Sequence, residues 1–153
     1  MTGTTRRVLI VANRTAATDK LLEAVRARAQ AGPATFHLLV PATPRGLHRV
    51  VDPEDAGREE AAAQLELGLG RLHDAAGAPV TGQVGVADPM AAISDTLHER
   101  AVDEIMISTL PRRLSRWVHL DLPSKVRGFG KPVTHVEGER EPTEQVLLSG
   151  RAA

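Results

Sequence analysis

The sequence predicts an α/β domain, a single parallel sheet with helices on both faces. Three observations carry this. Five short apolar runs alternate with segments of helical character along the 153 residues. The first run, VLIVA (8–12), is continuous rather than alternating, as in a strand buried on both faces. Aromatics are confined to Phe36, Trp117 and Phe129, so small aliphatics must build the core, which suits a sheet between Ala-rich helices. The length suits one domain with a full core.

The elements follow in order. After the strand at 8–12, Thr18 or Asp19 can cap a helix whose buried stripe is Leu21, Leu22, Val25 and Ala29, and AGP (31–33) ends it. FHLLV (36–40) is the second strand, and PATPRGLHRVVDP (41–53), with three prolines, is a long loop. Asp52 caps the second helix, Pro53 takes its first position, and Glu54 and Asp55 sit where the helix dipole favours anions. Ala61, Leu65, Leu69, Leu72 and Ala76 form its buried stripe, and Gly77 and Pro79 stop it. VTGQVGV (80–86) is the third strand, weakened by Gly82 and Gly85. Asp88-Pro89 repeats the helix start, and Ile93 and Leu97 turn inward. EIMIS (104–108) is the fourth strand, a short helix is expected near Ser124 to Gly128, and PVTHV (132–136) is the fifth strand. The acidic stretch 137–153 is expected to be a loosely held tail, or an extra edge strand at QVLLS (145–149) that can reach across a dimer.

Composition narrows the function classes. Net charge is zero, so the global basic field of a DNA-binding domain is missing, and scarce aromatics argue against a single-stranded nucleic-acid platform. No partner nucleic acid or membrane is expected. The absence of cysteine excludes disulfides, zinc-thiolate sites and thiol catalysis. Arg6 and Arg7 precede only five apolar residues, too few for a signal-peptide core or a membrane span, so a soluble, cytoplasmic protein is expected.

The segments RRVLIVAN, FHLLV, GVADPMAAISDTLHERAVDEIMIST and KPVTHV together resemble the universal stress protein family over roughly residues 6–136. The most telling piece is ADPMAAI, followed by Asp103 before the apolar EIMIST. The resemblance implies a doubly wound, adenine nucleotide alpha hydrolase-like fold with strand order 3-2-1-4-5 and dimerisation through the last strand. Some members bind ATP. Those members carry G-x-x-G, about nine residues, then Gly-Ser/Thr after the fourth strand, and an Asp at the end of the first strand. Glycines let backbone approach phosphate, and the closing pair lies at a helix N-terminus.

This chain departs at each matching position. Asn13 stands for the Asp. The first signature glycine falls near Ser108 to Pro111, the second near Arg113, and the closing pair at Leu120-Asp121. Asp121 is expected to cap the following helix, taking the amides phosphate would need and repelling its charge, and Pro123 removes a further donor. Family-type ATP binding is therefore expected to be lost, and no cofactor is assigned.

The candidate crevice is the switch point between the loops after the first and fourth strands, lined by Asn13, Arg14, Val40, Ser108, Thr109, Arg112, Arg113, Arg116, Trp117 and Asp121. From Leu110 to His135 six basic residues face one acid, whereas acids gather in 52–60 and in the tail. Arg14, Arg112, Arg113 and Arg116 can grip an anion through guanidinium forks, or form a solvated loop pairing with Asp121 or the tail; the second reading is preferred. Trp117 can stack on a base or face a partner; the preferred reading is that Trp117 and Leu114 fold down and plug the crevice.

No catalytic constellation is present. The six histidines have no metal-ligand spacing, and no metal site is expected. G-x-S-x-G, G-x-G-x-x-G and Walker A motifs are absent. Helix capping accounts for Asp52 and Asp88. The expected function is that of a non-enzymatic, homodimeric stress-protein-like domain acting through protein contacts. The alternative is a nucleotide- or anion-binding protein using the arginine-rich loop in place of glycines.

Overall fold

Val8, Leu9, Ile10 and Val11 are all buried because β1 (Arg6–Val11) lies at the centre of the sheet. The computed structural model describes residues 4–43, 53–111 and 114–138, without the side chains of 53–56. The chain continues through α1 (Asp19–Ala31), β2 (Ala34–Pro41), α2 (Pro53–Ala76), β3 (Thr81–Gly85), α3 (Pro89–Glu99), β4 (Glu104–Thr109), α4 (Arg116–His119), α5 (Leu122–Arg127) and β5 (Val133–Glu137). The strands are ordered β3-β2-β1-β4-β5 and every pairing is parallel. The doubly wound sheet that the sequence predicts is the one formed.

Strand alternation divides the core in two. Val8, Ile10, Phe36, Leu38, Val40 and Met106 face α1 and α2, where Leu21, Leu22, Val25, Ala61 and Leu72 cover them. Leu9, Val11, Leu39, Ile105 and Ile107 face the other way, under Ala92 and Ile93 of α3, Trp117 of α4, and Leu122 and Val126 of α5. Among the described residues no helix is long and apolar enough to cross a membrane.

Several local expectations are met and some are corrected. α2 begins at Pro53; its expected cap, Asp52, lies outside the described residues, as does the tail from 139. Gly77 ends α2 at φ +68°, a left-handed position that glycine occupies without strain. Asp88 caps α3, its carboxylate accepting from the Ala91 amide at 3.1 Å. Thr18 holds the cap position of α1, but its hydroxyl donates back to the Thr15 carbonyl and caps nothing. α4 was not foreseen, because four helical residues after a proline give no periodic signal. Ser115 caps it by accepting from the Val118 amide.

At the amino ends of the strands, Asp103 ties β4 to β1. Its carboxylate accepts from the Arg7 amide at 2.8 Å and Arg7 Nε at 3.0 Å, and its own amide donates to the Arg7 carbonyl. Those bonds hold the Asp103 pKa down to about 2 from 3.8. Its stabilisation is therefore complete above the ordinary Asp range and is lost as pH falls through 2. Beside it, Glu104 accepts from Arg28 Nε at 2.6 Å and Arg6 Nε at 3.0 Å.

Glycines set how closely the helices approach. A Cβ on Gly82 would come within 2.6 Å of Leu65 Cδ1, and one on Gly85 within 2.9 Å of Ala92 Cβ. These glycines mark close helix contact in the strand that they weaken. In α2, a Cβ on Gly68 would lie 2.9 Å from the Ala16 carbonyl oxygen, a backbone atom that cannot swing away. Gly70, two residues on, faces open space. Gly68→Ala is expected to be neutral to destabilising by up to about 2 kcal/mol, overpacking of about 1–3 kcal/mol offsetting or outweighing a helix-propensity gain of roughly 1 kcal/mol. Gly70→Ala collects only the gain. Denaturant unfolding measures both, and equal effects would contradict the assigned approach of α2.

Candidate functional site

The carboxy ends of β1 and β4 diverge to the helices on opposite sides, which makes this the switch point where doubly wound sheets take ligands. Here the described floor is made of the protein's own polar side chains. Thr15, in the loop after β1, and Ser108, near the end of β4, share a hydrogen bond of 2.7 Å. Each is 1% exposed. A buried hydroxyl must find a partner, and each of these finds the other.

The loop that carries Thr15 is held from several sides. The Ala12 amide donates to the Leu39 carbonyl, and Asn13 Nδ2 donates to the Pro41 carbonyl at 2.7 Å. The Ala16 and Thr18 amides donate to the Asn13 and Thr15 carbonyls. From α2, Arg71 donates to the Ala17 carbonyl at 2.6 Å and pairs with Asp19 at 3.1 Å, while Gly68 lets the helix backbone meet Ala16. On the β4 side, the Thr109 hydroxyl shares a 2.8 Å hydrogen bond with His135 Nε2, and the Thr109 carbonyl accepts from the Gly138 amide at 2.7 Å. A Cβ on Gly138 would crowd that carbonyl at 2.9 Å, so the glycine is what lets the chain leave β5 against the switch point.

The predicted crevice residues divide into groups. Asn13, Ser108 and Thr109 meet around this point. Arg14, partly buried, stands in the same loop. Val40 does not line a crevice; it is fully buried under α1 and α2, because its strand position turns it to that face. Arg112 and Arg113 lie outside the described residues. Arg116 is exposed on α4. Trp117 is buried, but among Leu122, Val126, Ile105 and other residues of the α3-side core. Leu114, expected to fold down beside it, remains 45% exposed. Ser115, which follows it, is the reason: it caps the start of α4, so that only the next turn reaches inward.

Asp121 also needs correction. It precedes α5 as expected, yet its side chain makes no capping bond. Its φ of 58° is left-handed, the one such non-glycine residue among those described. Asp tolerates that conformation, and here it links α4 directly to α5. Its amide donates to the Val118 carbonyl, and its carbonyl accepts from the Lys125 amide. A glycine would suit this link at least as well on conformational grounds. Pro123 sits inside the first turn of α5, where its missing amide costs least.

Sequence reasoning missed Thr15, His135 and Gly138. The hydroxyl of Thr15 lies one short turn beyond a strand, in a segment noted only for lacking glycines. Two strands, β1 and β4, separate His135 from His37, as the strand order requires, and His135 pairs with a threonine. Among the described residues no group of three His, Asp or Glu could hold a metal ion. A double-mutant cycle tests the switch-point bond. Thr15→Val or Ser108→Ala alone is expected to cost about 1–3 kcal/mol by stranding the other hydroxyl. The double change should cost less than the sum by at least ~0.5 kcal/mol, and strict additivity would contradict the contact.

No protein-family model matches the chain, and no curated protein matches it. Solved structures do. A universal stress protein in complex with cAMP is 19% identical with a TM-score of 0.60, over 89% of this chain and 99% of the other. A universal stress protein from Archaeoglobus fulgidus is 17% identical with a TM-score of 0.60, over 86% and 93%. A structure of the universal stress protein from Archaeoglobus fulgidus in complex with dAMP is 17% identical with a TM-score of 0.52, over 88% and 98%. With the strand order 3-2-1-4-5 and helices on both faces, these similarities establish that the chain has the universal stress protein fold.

Proposed function

We propose that the protein is a non-enzymatic domain of the universal stress protein fold that works through protein contacts, a second copy of itself first among them, and that it no longer holds ATP by a glycine loop. One observation carries this reading: the buried Thr15–Ser108 hydrogen bond at the switch point. A phosphate bound there by backbone amides needs open approach and unclaimed donors. The Thr15 and Ser108 hydroxyls pair with each other in a buried position, Asn13 Nδ2 donates to the Pro41 carbonyl, and the segment after β4 begins with Leu110 and Pro111 rather than glycine. The dimer reading rests on β5, which is the last strand in the order of the described sheet, the position at which a second β5 can add.

A second reading has its own support. Two of the similar structures hold cAMP or dAMP, and Arg116 is exposed on the segment after β4. On that reading guanidinium forks replace the glycine loop in holding a nucleotide. Thermal unfolding with ATP, AMP and cAMP separates the two. The first reading predicts no shift, although a ligand at 100 times its Kd would add about 2.7 kcal/mol. Stabilisation that disappears in Arg116→Ala would favour the second. Light scattering should give a dimer mass, and a monomer at every accessible concentration would overturn the proposed self-contact.

A further inference from the structure

The opposite end of the sheet carries a cleft of ≈ 560 Å³. Its floor is the first residues of β1, β2 and β3, including Arg7, Thr35, His37 and Thr81, and its wall is the turn 99–102 after α3. Because the strands are parallel, all these residues lie at the amino ends, away from the switch point. The volume is in the range of small-molecule sites.

Among the described residues the cleft has one uncommitted cation, Arg100. Arg7 is held by Asp103, Nε to Oδ2 at 3.0 Å and a terminal nitrogen to Oδ1 at 3.3 Å. Arg100 is exposed and makes no side-chain hydrogen bond or ion pair among the described residues, and its charge is felt at His37. His37 offers no free ring nitrogen. Its Nδ1 bonds Thr81 Oγ1 at 2.7 Å and its Nε2 bonds Gln83 Oε1 at 2.9 Å. Burial first, and Arg100 as well, push its pKa below 6.5, against the pull of Gln83. The charged groups around it are Arg7 with Asp103 on the β1 side, Glu99 at the end of α3 and Arg100 after it; Thr81 and Gln83 on β3 are neutral. The carboxy end of α3 disfavours an anion, but the Arg100 amide and His98 already take up the Thr96 and Ser94 carbonyls. Pro79 and Val102 supply apolar wall.

We propose that this cleft is a ligand site, taking a small organic oxyanion whose carboxylate or phosphate group lies on the Arg100 guanidinium and the Thr35 hydroxyl, with its apolar part against Pro79 and Val102. Arginine presents a planar fork that matches both acid groups, which makes it the anchor. A bound anion offsets the Arg100 charge at His37, so binding raises the His37 pKa and, by linkage, tightens as pH falls.

The test is an NMR titration of the full chain with benzoate and with phenyl phosphate at millimolar concentration. The expected result is saturable shifts at Thr35, His37, Thr81 and Arg100, a raised His37 titration midpoint, and binding about tenfold weaker in Arg100→Gln. Arg100 is exposed, so the variant should fold. Response to one probe alone identifies the carboxylate or the phosphate as the acid group. The proposal is overturned if neither probe gives saturable shifts, if shifts gather instead at Asn13 and Ser108, or if Arg100→Gln binds as tightly as the parent.

Discussion

The close approach of α2 to the loop after β1 is the contact on which the rest of the switch point depends. Gly68 removes the one Cβ that would strike the Ala16 carbonyl, and Arg71 then reaches the Ala17 carbonyl at 2.6 Å. Pinned this way, the loop places Thr15 within 2.7 Å of Ser108. A core of small aliphatics makes this possible. With few aromatics to hold layers apart, helices settle close to the sheet, and Gly82 and Gly85 open the space where they do. Sequence, packing and site are thus one chain of causes: glycine in a helix, a clamped loop, a buried pair of hydroxyls.

What fills that point decides the chemistry. A phosphate loop keeps backbone amides unsatisfied and in reach of solvent until ligand arrives. Here side-chain hydroxyls and an asparagine have taken their partners inside the protein, and Gly138 carries the chain away from β5 directly over the Thr109 carbonyl. The arginine-rich stretch after β4 contributes Trp117 to the apolar core and leaves Arg116 on the surface. These inward pairings among the described residues are the support for the proposed reading through protein contact.

Much of the fold was legible in the residues. The continuous run 8–12 announced the central strand, and Asp88-Pro89 announced α3 together with its capping bond. Less of the site was legible. Asn13, Ser108 and Thr109 were recognised by topology, since strand ends at a switch point are known from element order alone. Thr15 was not, because its partner is 93 residues away and a single threonine has no periodic signature. Asp121 illustrates a different failure. An Asp before a helix reads as a cap, whereas here the tight link between α4 and α5 has φ at 58° and the side chain makes no capping bond. Gly82 and Gly85 were read as flaws in a strand; only the helices packed over them reveal their use.

The proposed function requires that the buried Thr15–Ser108 pair keep its place against a nucleotide. Amide shift mapping during titration of the full chain with ATP reads this directly. The prediction is that Asn13, Thr15, Ser108 and Thr109 keep their resonances unchanged to millimolar ATP. Saturable shifts at those four residues would contradict it, because they would require the Thr15–Ser108 bond to yield its place to a ligand.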